Sequence, residues 1–300
     1  MSLETSFGMQ INKIRRGQKM PPIKNVLPLL FIVSSHLFAS NTVEPQKEPQ
    51  LYKDKNFALG VGISVVKFDT NIKSSSKVGN RSIYFDVEGN FNLPEISTVY
   101  SLYGAYRFNK NHSILMNYFS INRSSKVLSV DESYGDVASV KADVAVYDRS
   151  KFFNISYGYN LFRDSSGIVT LLAGLNAINL AYKIEMNGAI MLDNKTIPKN
   201  ILFDENLFVP LPLIGLNFRY NYTKDFAVST DVSFVAGAYK NVKAGILQTN
   251  FNVLYNITDH VGLLLGITYF DADIVIEKET LEHKVVYGYK GATAGLHFAF

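Results

Sequence analysis

The chain has 300 residues, no cysteine, no tryptophan, 18 tyrosines, 21 phenylalanines and a formal charge of +4. Without cysteine it holds neither a disulfide framework nor a thiolate ligand or nucleophile. So small a positive excess makes no case for nucleic-acid binding. A mean hydropathy near zero advertises no apolar face, but a barrel that hides its hydrophobicity in alternation gives the same average.

Lys13, Arg15, Arg16, Lys19 and Lys24 precede an apolar run from Val26 to Phe38. That run is about 13 residues, too short for a bilayer-spanning helix of about 20. Basic start and short apolar stretch together form a secretory signal peptide. Leu37 and Ala39 would stand at the −3 and −1 positions of its cleavage site. Residues 1–39 are therefore expected to be an over-called start (upstream of Met20) plus a cleaved signal. An uncleaved membrane anchor is the alternative. No cysteine follows the run, so a lipoprotein is excluded. Residues 40–55, polar and containing Pro45 and Pro49, read as a flexible periplasmic lead-in.

Strict period-two alternation begins at Asn56. Phe57, Leu59, Val61, Ile63 and Val65 fall on one face, and Ala58, Gly60, Gly62 and Ser64 on the other. Asp69 to Ser82 is polar and reads as a loop. Ile83, Phe85 and Val87 alternate again before Asn90 to Pro94 breaks the pattern, which suits a rim hairpin. From Thr98 a unit of strand, tight polar turn and strand recurs, over 98–122, 153–177, 213–236 and 247–270. The turns at Tyr220–Asp225 and Tyr255–His260 are near-copies, rich in Asn, Asp and Thr, whose side chains bond the local backbone. Long polar stretches lie between the units, at 123–151, 183–206 and 271–284, and read as loops. The last stretch, Tyr289 to Phe300, alternates Phe300, Phe298, Leu296, Ala294 and Ala292 with small or polar residues.

Strands of about 9–11 residues, apolar outward and small or polar inward, are what a transmembrane barrel needs. The segments 57–68, 98–108, 112–122, 150–162, 167–182, 208–221, 225–237, 242–256, 260–271 and 286–300 meet that description. The expected fold is all-β: a transmembrane antiparallel up-and-down barrel over 56–300 with about ten strands, eight or twelve being compatible. Its short turns would be periplasmic and its long loops extracellular. The turn pattern and the carboxyl-terminal strand resemble those of small Gram-negative outer-membrane β-barrel proteins as a group. That resemblance implies an outer-membrane location, contact with lipid and lipopolysaccharide, and recognition by the barrel-assembly machinery. Phe300, Phe298 and Leu296 would then form the assembly signal.

Sorting the strands by face places a polar network in the lumen: Arg107, Asn217, Arg219, Asp231, Gln248, Asn250 and Asn252. Amides and hydroxyls in a narrow barrel suit a hydrogen-bonded plug better than an open channel. Arg219 and Asp231 lie close enough to pair diagonally across adjoining strands. For a surface hydrolase the candidates are Asp271, Asp273, Glu277, Glu279, Glu282 and His283, all on one rim, where charge is ordinarily a solvated face. His112 and Ser113 are consecutive and point to opposite faces, so they cannot act as a nucleophile and base. No phosphate loop, zinc spacing or EF-hand loop occurs. No cofactor, metal or enzymatic activity is expected. The preferred reading is a structural or surface-interaction barrel whose loops meet an extracellular ligand. A narrow ion or small-solute pore is the alternative, and a rim hydrolase the third.

Overall fold

The structure is a computed structural model that describes residues 55–77, 82–133, 138–164, 166–192, 195–279 and 281–300. The chain divides into Met1–Gln46 and Lys47–Phe300, and all described residues belong to the second unit. The expected signal peptide and nearly all of the lead-in lie outside the described residues.

The elements in chain order are β1 (Phe57–Ser76), β2 (Ser82–Asp86), α1 (Val87–Phe91), β3 (Ile96–Arg107), β4 (His112–Ser120), β5 (Arg123–Ser133) and β6 (Ala138–Asp148). They continue with β7 (Lys151–Arg163), β8 (Gly167–Leu192), β9 (Lys195–Asn221), β10 (Phe226–Tyr239), β11 (Val242–Asn256), β12 (Val261–Glu277) and β13 (Leu281–Ala299). Ten of the strands close a ring in the order β1-β3-β4-β7-β8-β9-β10-β11-β12-β13, every pair antiparallel. The seam is β1 on β13, in register from Ala58↔Ala299 to Ser76↔Leu281. At its lower end Phe57 and Phe300 exchange backbone hydrogen bonds of 3.1 and 2.8 Å, which leaves no edge there.

One end of the ring is closed by short turns built alike. Asn109 Oδ1 accepts from the amides of Asn111 and His112, and Asp164 Oδ1 from those of Ser166 and Gly167. Thr223 Oγ1 accepts from Asp225 and Phe226, and Thr258 Oγ1 from His260 and Val261. A short oxygen-bearing side chain two or three residues ahead of the amides it holds fixes each reversal locally. The last two are the near-copied turns of the sequence, and all four lie in the recurring strand–turn–strand units.

The opposite end departs from expectation. The stretches 183–206 and 271–284, read as loops, mostly continue β8 into β9 and β12 into β13 as paired ribbons. Within 123–151, β5 and β6 pair antiparallel, and β1 itself runs on to Ser76. The physical reason is a change of phase. On β12 the outward residues Leu263, Leu265 and Ile267 give way to Asp271 and Asp273, while the inward Gly266 and Thr268 give way to Phe270, Ala272, Ile274 and Ile276. β1 does the same: Val61, Ile63 and Val65 outward become Lys67 and Asp69, and Gly60, Gly62 and Ser64 inward become Val66, Phe68 and Ile72. Each strand keeps its period of two but exchanges the chemistry of its faces, so a polar outer set looks like a loop.

β3 and β4 are the short staves of the ring. Above them β2 takes over the edge of β1 (Asn71↔Asp86) and β6 takes over that of β8 (Tyr182↔Asp148). Between them stands the single turn α1, where sequence alone showed only a break. Asp86 caps it by accepting from the Gly89 amide at 2.9 Å, and Asn92 ends it in a left-handed conformation at φ 51°.

Candidate functional site

The lumen has two storeys. Toward the ribbon end the described inward side chains form a largely apolar core, with aromatic rings from five strands at its base. Phe119 stacks on Phe152 at 4.6 Å and Phe270 on Tyr289 at 4.9 Å, and Phe152 meets Phe270 edge-on at 5.2 Å. Phe68 completes the layer against Tyr289 at 5.5 Å and Tyr287 at 5.8 Å. Phe68, Phe152, Phe270 and Tyr287 are each 1% exposed, so this layer is packed like a protein interior.

A buried ionic cluster closes the flank where β3 and β4 stop. The Arg123 guanidinium lies 3.8 Å over the Phe68 ring. It donates to Glu88 Oε1 at 2.6 Å, to Asp148 Oδ2 at 3.1 Å and to the Thr70 hydroxyl at 3.0 Å. Asp148 also accepts from the hydroxyls of Tyr287 and Ser150, at 2.9 and 2.7 Å. Glu88 holds the Thr70 amide at 2.7 Å, which ties α1 to β1. Burial alone would lower the proton affinity of Arg123, but Tyr287, Asp148 and Glu88 outweigh it and hold it above its ordinary value. Burial, with Asp148 beside it, pushes the Tyr287 phenol well above its ordinary range. Sequence reading missed this cluster because its members come from five separate segments that lie apart in the chain.

Below the aromatic layer is a cavity of about 490 Å³ that reaches the short-turn end. Its lining includes Arg107, Asn217, Arg219, Asp231, Gln248, Asn250 and Asn252. They do not fill the lumen: space remains beneath the rings, and the seal is aromatic, where a polar plug was expected. Asp231 stands opposite Asn217 in register and accepts from its amide at 2.5 Å, with the Asn252 amide at 3.4 Å. Arg219 is opposite Ser229 and donates through Nε to Asn221 Oδ1 at 3.0 Å. Hydroxyl and amide pairs continue round the wall: Ser64 with Thr293 at 2.7 Å, Thr268 to Asn250 at 2.8 Å and Thr170 to Asn160 at 2.8 Å. Tyr103 reaches His297 at 3.1 Å, its ring lying over Gly60, where any Cβ would stand within 1.8 Å of the ring carbon Cζ. A side chain at position 60 would push the Tyr103 ring aside and off His297. Arg107 bonds the Lys55 carbonyl and Arg163 the Lys110 carbonyl, both at the rim.

Of the rim residues weighed for hydrolysis, Asp271 and Asp273 alternate with buried neighbours and face outward, whereas His283 is buried on the inward face. Glu277 is bonded to Lys243 at 2.7 Å. The wall therefore separates the histidine from the carboxylates at Asp271 and Asp273. Among the described residues no group of three or more His, Asp or Glu is placed to hold a metal ion. Phe298 and Leu296 lie on β13 opposite Leu59 and Val61, and the Phe300 ring stacks on Phe57 at 6.3 Å.

No protein-family model matches the sequence, and no curated protein matches it. Solved structures resemble it in shape. The outer-membrane protease OmpT from Escherichia coli is 12% identical over 87% of this chain and 99% of that one, with a TM-score of 0.49. The CymD monoaromatic hydrocarbon channel is 10% identical over 89% and 97%, with a TM-score of 0.39. Ail, the attachment invasion locus protein of Yersinia pestis, is 7% identical over 80% and 99%, with a TM-score of 0.21. Likenesses this distant carry no activity over to the chain; what stands is a closed antiparallel barrel of ten strands.

Proposed function

We propose that this is an integral outer-membrane barrel, closed at rest, that works as a structural or surface-interaction protein through its ribbon end. The observation that carries the membrane reading is the exchange of faces along the strands. Where the lumen is polar the exterior is apolar, with Val65 57%, Tyr100 63%, Leu265 60%, Ile267 63% and Ile214 56% exposed. A soluble protein seldom exposes so broad an apolar belt. From Phe57 to Val65, at about 3.4 Å per residue and a tilt of about 40°, the belt is roughly 20–25 Å tall. Tyr106, Phe108, Tyr222 and Tyr255 stand exposed beside the short turns, where an aromatic girdle belongs. Lys67, Lys290 and Lys151 mark the upper edge. Above them the outer face turns polar and the interior becomes the protein's own core.

The short-turn end then faces the periplasm, and the paired ribbons stand above the outer leaflet as a tower. Such a tower offers a fixed surface to lipopolysaccharide or an extracellular partner. Solute passage would require the packed aromatic layer to part, which supports a closed barrel over the pore. No catalytic role is proposed. Purified protein in a planar bilayer is expected to give no ohmic conductance. Steady single-channel steps at low voltage would overturn the closed-barrel reading in favour of the pore.

A further inference from the structure

We infer that the cavity beneath the aromatic layer is a binding cup for a small polyhydroxylated oxyanion, a sugar acid or sugar phosphate, entering from the short-turn end. The cavity is blind: Phe119 and Tyr289 are among the residues at its roof, while Lys55, Asn109 and Asn221 line its mouth. Its volume of about 490 Å³ falls in the range of small-molecule sites, about 300–1,000 Å³. Among the described residues the charged groups on its lining are Lys55, Arg107, Arg163 and Arg219 against Asp164 and Asp231, four positive and two negative, a net +2.

Those carboxylates are already engaged: Asp164 holds the amides of its own turn, and Asp231 takes the amides of Asn217 and Asn252. Lys55 and Arg163 sit at the mouth with a histidine nitrogen at 3.1 Å and a backbone carbonyl at 2.9 Å as their partners. A net positive charge in a cleft with low-dielectric walls concentrates anions. Deeper in, the wall offers amide and hydroxyl groups from Asn117 and Ser156 that suit a ligand carrying hydroxyls. Cations at the entrance, with amides and hydroxyls behind them and the one deep carboxylate, Asp231, held by the amides of Asn217 and Asn252, select a hydroxylated anion over a neutral or cationic sugar.

That the mouth opens on the periplasm rests on the membrane reading above; the binding itself does not, and it is tested in detergent micelles. The chain has no cysteine, so Ser229→Cys in the full chain places a single thiol inside the cup, opposite Arg219. An anionic methanethiosulfonate is expected to label it at least about tenfold faster than a cationic one, relative to their ratio on free cysteine. Gluconate and glucose 6-phosphate are then titrated as protectants beside glucose and glucosamine. Saturable protection by either anion, with neither glucose nor glucosamine matching it, supports the cup, and the better anion tells carboxylate from phosphate. Arg163→Gln in the same background should weaken protection about tenfold if it reads the anion. Equal labelling by the two reagents, protection by glucose as strong as by the anions, or no protection by any of them overturns the inference.

Discussion

Replacing Arg123 by methionine removes the cation on which the flank of the tower closes. The guanidinium is 0% exposed, Asp148 0% and Glu88 10%, so neither carboxylate regains much water when its partner goes. Asp148 keeps the hydroxyls of Tyr287 and Ser150, and Glu88 keeps the Thr70 amide, which offsets part of the loss. Breaking a buried pair from one side costs about 3–5 kcal/mol, because a charge is left behind. The stacking of Arg123 on Phe68, about 0.5–2 kcal/mol, is included in that range. Equilibrium urea unfolding of the barrel in lipid vesicles, followed by circular dichroism, should show the loss. The added change Asp148→Leu removes one stranded charge, so Arg123→Met/Asp148→Leu should be more stable than Arg123→Met alone. A loss under about 1 kcal/mol for the single variant, or a double variant as unstable as the sum of the singles, would refute the assignment of a buried, mutually dependent cluster.

Tyr287 gives the same cluster a pH signature. Its phenol in the unfolded chain ionises near the ordinary 10.0, and in the folded barrel only well above it. The folded state therefore retains a proton that the unfolded chain has lost. Its contribution is complete below about pH 10 and falls above it by up to about 1.4 kcal/mol per pH unit, a slope that Tyr287→Phe should remove from alkaline unfolding curves. Leu265→Arg should cost about 2–4 kcal/mol and vary with bilayer thickness, whereas Thr268→Arg, inside the lumen, should be insensitive to the lipid. Phe270→Ala, in the centre of the aromatic layer, should destabilise by about 3–5 kcal/mol and raise conductance in planar bilayers above the wild-type baseline. Phe300→Asp should lower the heat-modifiable barrel recovered from outer membranes, since it removes the ring stacked on Phe57 at the seam. Recovery at wild-type level would leave Phe300 without an assembly role.

What the sequence determined by itself was local. Alternation assigns the ten staves, the oxygen-bearing side chains at Asn109, Asp164, Thr223 and Thr258 fix the tight turns, and the outward apolar set follows from period two. It also sorts Asn217, Asp231 and Asn250 onto the inner face, because that choice depends only on parity along one strand. What only the tertiary structure decided was where the lumen is open and where it is shut. Phe68, Phe119, Phe152, Phe270 and Tyr289 stand in five strands spread over more than two hundred positions, and nothing in any one strand shows that their rings meet. Closure of the ring brings them to one level, just where the exterior passes from apolar to polar and strands such as β1 and β12 exchange the chemistry of their faces. Asp271 and Lys284 look like loop residues in sequence because their alternation is intact but reversed. The solvent outside a strand, and not the strand itself, decides which of its two faces must be apolar.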